Sequence, residues 1–145
     1  MIDFFVPGRP VAKGRPRFNR KTGAVITPKP TRDFEKWIAM NAKVNLGEFE
    51  PLGGPVHLRV EFLFPRPKKP AKGHVLHGNP GRAWLAWRPD LSNIIKAVED
   101  GLNGIAYSDD AQIVSITALK LYAAENEQAG TRVTITQAEE VNRGI

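Results

Sequence analysis

The sequence predicts an α/β (α+β) domain in which two main helices pack on a single mixed β-sheet. The chain has 145 residues, which is the size of one ordinary domain and leaves little room for a second. All 12 prolines lie at or before Pro89, so residues 90–145 can form uninterrupted elements. Two segments have helical periodicity, and others alternate between apolar and polar residues as strands do. This order of segments predicts one sheet with helices on it.

The first half is predicted to contain strands and one helix. Residues 1–6 are typical of a short strand, and residues 18–27 of a hairpin that turns at residues 21–23. This hairpin lies within a basic segment at about 9–30. Thr31 is a plausible N-cap, because a proline precedes it and apolar residues follow it at helical spacing.

The second half is predicted to contain a strand, a long loop, a helix and two further strands. Residues 55–64 alternate as a half-buried strand requires. Residues 65–89 are a basic loop rich in proline and glycine, and loops of that length are usually functional or mobile. Residues 91–102 have helical periodicity. Strands are predicted at 111–122 and 131–137, and the second is polar enough on one face to be an edge strand.

The second helix has two opposite stripes at about 100° per residue. Its apolar stripe comprises Leu91, Ile95, Val98 and Leu102. Its polar stripe comprises Asn93, Lys96, Asp100 and Asn103. We expect the apolar stripe to face the sheet, with an Asn-Gly pair ending the helix.

Several classes of protein are excluded or disfavoured by composition. No apolar run approaches the roughly 18 residues that a membrane span needs. The chain has no cysteine, which excludes disulfides, thiolate metal sites and cysteine nucleophiles. The N-terminal residues lack the basic flank and apolar length of a signal peptide. We therefore expect a cytoplasmic protein without membrane contact.

The charge distribution favours an anionic partner such as nucleic acid. The net charge is +6 and the isoelectric point is near 9.8, and the basic residues are concentrated in two segments. The first segment contains no acid between Asp3 and Asp33 and holds Arg9, Lys13, Arg15, Arg17, Arg20, Lys21, Lys29 and Arg32. Such asymmetry favours phosphate contact over the alternative of a solvated surface.

An acidic stretch between residues 90 and 110 is the candidate site. Asp90 precedes the second helix, and Asp109 and Asp110 open the strand that follows. The helix spans roughly 18 Å and the extended return reaches at most about 23 Å, so the return can bring Asp110 beside Asp90. Two such carboxylates would suit a hard divalent cation such as Mg²⁺. The alternative is an Asp that caps the helix and an Asp pair in a solvated turn.

Other candidates have simpler interpretations. Asp100 lies about 15 Å along the helix from Asp90, so we expect it to pair with Lys96 or to order a neighbouring loop. His74 and His77 have no partners at a useful spacing and are interpreted as surface residues. Two tryptophans, Trp84 and Trp87, could stack on an unstacked base, anchor in the core or form a lid.

These residues carry a family resemblance. The run from Pro89 to Asn93 reads Pro-Asp-Leu-Ser-Asn, and Lys96, Asp100 and the segment Asp109–Ile113 follow it. This pattern resembles the RusA family of Holliday junction resolvases, small Mg²⁺-dependent endonucleases common in prophages. The segments Gly8-Arg-Pro10, Lys13-Gly-Arg-Pro-Arg17 and Thr27-Pro-Lys-Pro-Thr31 are also similar to family members. The likeness covers most of the chain and implies a single RusA-like domain over 1–145.

The resemblance implies roles for individual residues. Asp90 matches the first catalytic aspartate, Asp110 matches the last, and Lys96 matches a lysine important for catalysis. The second catalytic aspartate falls on Ser92, which offers a neutral oxygen, and Asp109 is a candidate to replace it in part. The implied supporting residues are Asn93 and Asp100. The charge distribution, and not the resemblance, makes the candidate DNA-binding residues Lys13, Arg15, Arg17, Arg20, Lys21 and Arg88.

The resemblance also implies an activity. A homodimer would bind branched DNA, nick a Holliday junction symmetrically and leave 5′-phosphates, using Mg²⁺ with Mn²⁺ as a substitute. Two alternatives remain open. A junction-binding protein without nuclease activity is permitted by Ser92, and a basic RNA- or DNA-binding module would make the acidic stretch a solvated helix. The second alternative lacks the aromatic, glycine-rich strand typical of RNA-recognition sheets.

Overall fold

The computed structural model describes residues 1–48, 50–68 and 80–139. A 3₁₀ turn at Asp110–Gln112 lies between the second helix and the strand after it. The other elements are, in chain order, β1 (Ile2–Pro7), β2 (Arg17–Phe18), β3 (Val25–Ile26), α1 (Lys29–Leu46), β4 (Val56–Phe64), β5 (Ala83–Trp84), α2 (Leu91–Leu102), β6 (Ile113–Tyr122) and β7 (Gly130–Gln137).

The main sheet is mixed and has five strands in the order β1-β7-β4-β6-β5. Only β4 and β6 are parallel, and α2 lies in the connection between them, as a parallel pair requires. The predicted fold class, a mixed sheet with two helices on it, is therefore confirmed. The strands β2 and β3 form a separate hairpin with Arg17 opposite Ile26, so the predicted hairpin is confirmed as well.

The core lies between the helices and one face of the sheet. The strand β4 alternates as predicted, and its inward side chains are fully or almost fully buried: Val56, Leu58, Val60, Phe62 and Phe64. They pack in one cluster with residues of α1 and α2, including Ile38 and Ile94. Burying one such side chain contributes about 1.5–3 kcal/mol relative to leaving it exposed. Among the residues that the structure describes, a small apolar cluster around Leu63 and Leu121 lies on the other face.

The prediction that the last strand is an edge strand is wrong. The strand β7 pairs with β1 on one side and with β4 on the other. Its polar residues Arg132, Thr134 and Thr136 alternate with the buried Val133 and Ile135, because they face the side of the sheet opposite α1 and α2. The polar face of β7 is therefore the face that meets solvent, and its polarity does not indicate an edge strand.

The predicted starts of two elements are also corrected. The helix α1 begins at Lys29, and Pro28 occupies the N-cap position. Thr31 is buried and accepts a 2.8 Å hydrogen bond from the backbone N–H of Gly14, so its hydroxyl anchors the preceding segment instead of capping the helix. The strand β6 begins at Ile113, because the 3₁₀ turn occupies the residues before it.

The bounds predicted for α2 are confirmed, but its buried stripe is shifted. The most buried residues are Ile94, Ala97, Val98, Gly101 and Leu102, whereas Leu91 and Ile95 of the predicted stripe are only partly buried. The reason is the close crossing of α1 over Gly101. A Cβ atom at Gly101 would lie 3.0 Å from a backbone carbonyl oxygen of α1. Within the described ranges, no helix is long and apolar enough to cross a membrane.

Candidate active site

Lys96 lies at the centre of the acidic stretch. Its Nζ atom is 3.9 Å from Asp110 Oδ2, 3.9 Å from Asp100 Oδ1 and 4.0 Å from Glu99 Oε2. Two of these carboxylates are its helical neighbours, and the third belongs to the 3₁₀ turn. The structure therefore brings three of the predicted site residues, Lys96, Asp100 and Asp110, together on one side of α2. It also confirms the expected pairing of Asp100 with Lys96.

The 3₁₀ turn separates the roles of the two adjacent aspartates. Asp109 Oδ1 accepts a 2.9 Å hydrogen bond from the backbone N–H of Ala111, and the side chain of Gln112 accepts one from the N–H of Asp109. The hydrogen bond from Ala111 lowers the pKa of the Asp109 carboxyl, with a contribution from Asp110. Asp109 thus caps the turn, while Asp110 is directed to Lys96.

Asp90 occupies the N-cap position of α2 without capping it. Its backbone is extended and its side chain makes no cap hydrogen bond. The residue is exposed, and no ion pair to its carboxylate occurs in the part of the chain that the structure describes. The capping interpretation is therefore wrong, and the carboxylate is available to an external cation.

The backbone before Asp90 is held by a lysine that the sequence pattern did not indicate. Lys120 of β6 donates 2.7 Å hydrogen bonds to the carbonyl oxygens of Trp87 and Pro89. These bonds attach the start of α2 to the sheet. Next to it, Ser92 and Asn93 are exposed in the first turn of the helix.

Burial affects two further groups of the site. The pKa of the Glu99 carboxyl is raised mainly by burial, and the carboxylates of Asp110 and Asp100 raise it further against the effect of Lys96. Burial also raises the pKa of the Tyr107 phenol. Tyr107 is therefore a neutral hydrogen-bond donor at any ordinary pH.

Comparison with known proteins assigns the chain to a family. Residues 7–136 match the family of endodeoxyribonuclease RusA. The chain belongs to the RusA family. It is also 33% identical over 128 residues to the uncharacterized protein YqaN of Bacillus subtilis (strain 168), an alignment that covers 86% of this chain and 89% of that protein. RusA membership implies nuclease activity of the Holliday junction resolvase type in general.

The basic hairpin of this RusA-family chain lies outside the main sheet. The side chains of Arg15, Arg17, Arg20 and Lys21 are exposed, and so is Arg88 two residues before Asp90. The hairpin also exposes apolar side chains, with Phe18 66% and Val25 69% accessible. Exposed cations on a hairpin of this kind fit contact with a phosphate backbone.

The structure tests the interpretation of the two tryptophans but not that of the two histidines. Trp84 is 71% exposed and Trp87 is 52% exposed, so the core-anchoring interpretation of these residues is wrong. His74 and His77 lie outside the described residues. Among the residues that the structure does describe, no group of three or more histidine, cysteine, aspartate or glutamate side chains is arranged to hold a metal ion.

Sequence patterns did not predict several contacts that Lys13, Tyr107 and Lys120 make at the site of this RusA-family chain. Lys13, predicted as a DNA contact, donates a hydrogen bond to Asp100 and lies 3.5 Å from Glu35 Oε1. The bond to Asp100 raises the pKa of the Lys13 ammonium, while burial acts in the opposite direction. Tyr107 and Lys120 also stabilise the site, through hydrogen bonds to the backbone of α2 and of the segment before it. No local signal could have identified these contacts, because each joins two separate elements.

Proposed function

We propose that this RusA-family chain is a Mg²⁺-dependent endonuclease that resolves four-way DNA junctions. It would hydrolyse a phosphodiester bond in each of two strands and leave 5′-phosphates. The observation that carries the proposal is the 3.9 Å distance from Lys96 Nζ to Asp110 Oδ2, because both residues match catalytic positions of the family.

Asp90 and Asp110 are the residues that would hold the cation. Their donor atoms are carboxylate oxygens, the ligands that Mg²⁺ prefers and that Mn²⁺ accepts. Ser92 adds a neutral hydroxyl two residues after Asp90, whereas Asp109 already caps the 3₁₀ turn. A bound divalent cation would lower the pKa of a water nucleophile and offset negative charge on the reacting phosphate.

The remaining chemistry belongs to side chains of the chain itself. Lys96 is half-exposed and supplies a positive charge beside Asp110, where a phosphate oxygen gains negative charge during hydrolysis. The hairpin cations and Arg88 would contact phosphates and orient the DNA. We further propose that the chain acts in DNA recombination and repair in the cytoplasm.

A homodimer suits a junction with two strands to cut, because a twofold axis presents two equal sites. The strand β6 pairs with β5 only at Leu121 and Tyr122. Its earlier residues have no other strand on that side within the described ranges, and Val114 and Ile116 are 60% and 45% exposed. We propose that a second copy pairs along this edge. The variant I116K should then be monomeric in sedimentation and should nick single strands without paired cleavage.

The test of the nuclease proposal is cleavage of a labelled four-way junction with and without Mg²⁺. D90N and D110N should each abolish cleavage and leave binding intact or tighter, because loss of a carboxylate removes the cation and reduces repulsion of phosphate. D33N is the matched control, since Asp33 is exposed on α1 and pairs with Lys29. Cleavage without added metal, or binding with no cleavage at any Mg²⁺ or Mn²⁺ concentration, would overturn the proposal.

A further inference from the structure

Lys13 is attached to α2 at two points. Its backbone N–H donates a 3.0 Å hydrogen bond to the carbonyl oxygen of Asn93, in the first turn of the helix. Its side chain donates to Asp100 Oδ2, two turns further along the same side. Two helical turns rise about 10.8 Å, so this one residue extends over most of the helix. The first strand of the basic hairpin, β2, begins four residues after it, at Arg17.

The same ammonium group lies between two carboxylates. It bonds to Asp100 of α2 and is 3.5 Å from Glu35 Oε1 of α1. That glutamate oxygen is buried and has no hydrogen bond within the described residues. The side chains of Lys13, Glu35 and Asp100 are 27%, 23% and 23% exposed, so water screens their charges less than it screens a surface pair.

These contacts extend to the candidate active site as a chain of alternating charges. The order is Glu35, Lys13, Asp100, Lys96 and Asp110, and each neighbouring pair lies within 4.0 Å. Lys96 has no hydrogen bond to Asp100 or Asp110, because both distances are 3.9 Å. Glu99 lies at 4.0 Å, so the position of Lys96 depends on the balance of its attraction to Asp100, Glu99 and Asp110.

Lys13 shifts that balance toward Asp110. A cation bonded to Asp100 Oδ2 offsets the charge that would otherwise attract Lys96 as an i,i+4 partner. Without Lys13, Asp100 would have Lys96 as its remaining cation among the described residues, and Lys96 would move toward it. Lys96 would then lie farther from Asp110 and from a phosphate bound there.

We propose that Lys13 is a positioning residue. Its ammonium offsets the negative charge of Asp100, and its two bonds hold the segment before the basic hairpin on α2. Lys96 is thereby kept directed to Asp110. The proposal rests on the nuclease function proposed above. It assigns Lys13 an effect on the rate of cleavage, and not only the phosphate contact expected from its charge.

The test compares K13M, K13R and D100N with the double variant K13M/D100N on a labelled four-way junction in Mg²⁺. Single-turnover rates at saturating enzyme are measured beside the Kd of the junction. K36M is the matched control, because Lys36 is an exposed lysine of α1 that lines the same groove as Asp100 without an ion pair to it in the described structure.

K13M should lower the cleavage rate by about tenfold or more while the Kd changes by less than about threefold, because a misplaced charge affects the reacting state more than binding. K13R should keep a rate within about threefold of the wild type. D100N should be mild, and K13M should have little further effect in the D100N background. An equal loss in K13M and K36M, a loss confined to Kd, or additive effects of K13M and D100N would each overturn the proposal.

Hydrogen exchange separates failure of this inference from failure of the nuclease proposal. In K13M, but not in K36M, exchange should become faster at residues 11–17 and in the first turn of α2, because the side-chain attachment is lost. If the wild type never cleaves DNA but exchange is faster in K13M and not in K36M, the nuclease proposal alone is overturned. Unchanged exchange in K13M would overturn the positioning role. If K13M does not fold, hydrogen exchange in D100N tests the attachment, because this variant weakens the bond from Lys13 to residue 100. Exchange at residues 11–17 should then be faster than in the wild type, and unchanged exchange would overturn the positioning role.

Discussion

The phenol of Tyr107 donates a 2.8 Å hydrogen bond to the backbone carbonyl oxygen of Glu99. Carbonyl groups in the last turn of a helix lack the usual partner four residues on. Here the N–H of Asn103 bonds to the carbonyl of Asp100 at 3.4 Å instead. Tyr107 is fully buried, so its hydroxyl both satisfies the end of α2 and fixes the segment that leads to Asp110.

Y107F should therefore destabilise the protein and weaken the site. Loss of the hydroxyl leaves the Glu99 carbonyl without its donor, which costs about 1–3 kcal/mol. The free energy of unfolding from chemical denaturation measures this cost. At a temperature where the variant is folded, cleavage should fall because Asp110 is held less firmly. Equal stability of Y107F and the wild type would contradict the prediction.

G101A should be destabilising although alanine favours helices. The propensity gain is about 1 kcal/mol. The added Cβ would lie 3.0 Å from the Glu35 carbonyl oxygen and 3.2 Å from Ile38 Cβ, and the backbone of α1 cannot move freely away. Overpacking of this kind typically costs about 1–3 kcal/mol. Thermal unfolding of G101A beside G53A, where a Cβ meets no atom within 4 Å, tests the difference.

S92D should increase affinity for the metal. It places a carboxylate in the first turn of α2, where the helix dipole favours negative charge and a family aspartate would stand. The Mg²⁺ concentration for half-maximal cleavage should fall relative to the wild type. Identical metal titrations for S92D and the wild type would mean that position 92 does not contact the ion.

The double variant R15A/R17A should weaken DNA binding on all sequences alike. Both arginines are exposed, and each phosphate contact that is lost reduces the slope of log K against log salt by about 0.9. Binding to junctions of two different sequences is measured across a salt series. A wild-type slope near zero would exclude phosphate contacts as the main source of affinity.

Glu127 should make folding sensitive to acid. The hydrogen bond from Arg82, assisted by the backbone N–H of Ala124, lowers the pKa of its carboxyl below the usual value near 4.5. A lowered folded-state pKa gives stability that is fully present above the unfolded value near 4.5 and is lost as the pH falls through the folded pKa. E127Q should therefore lower the Tm at pH 7. Below about pH 4.5 the Tm of E127Q should depend less on pH than the Tm of the wild type. E125Q serves as the control, because Glu125 is exposed.

Local patterns in the sequence were sufficient for several features. Apolar periodicity predicted the bounds of α2 and the inward face of β4, and turn residues predicted the basic hairpin. The spacing of Asp90, Lys96 and Asp110 indicated the family, which the match over residues 7–136 confirms. These features could be predicted because each depends on residues close together in the chain.

Other features depended on the assembled sheet and helices. The strand β7 lies in the interior of the sheet, although its polar face suggested an edge strand. Alternation indicates which face of a strand meets water, and not which strands lie on either side of it. The contacts of Lys13 with Asp100, of Tyr107 with Glu99 and of Lys120 with Pro89 join different parts of the chain. Such pairs follow from the way α1, α2 and β6 pack together, and that packing is decided by the sum of all long-range contacts.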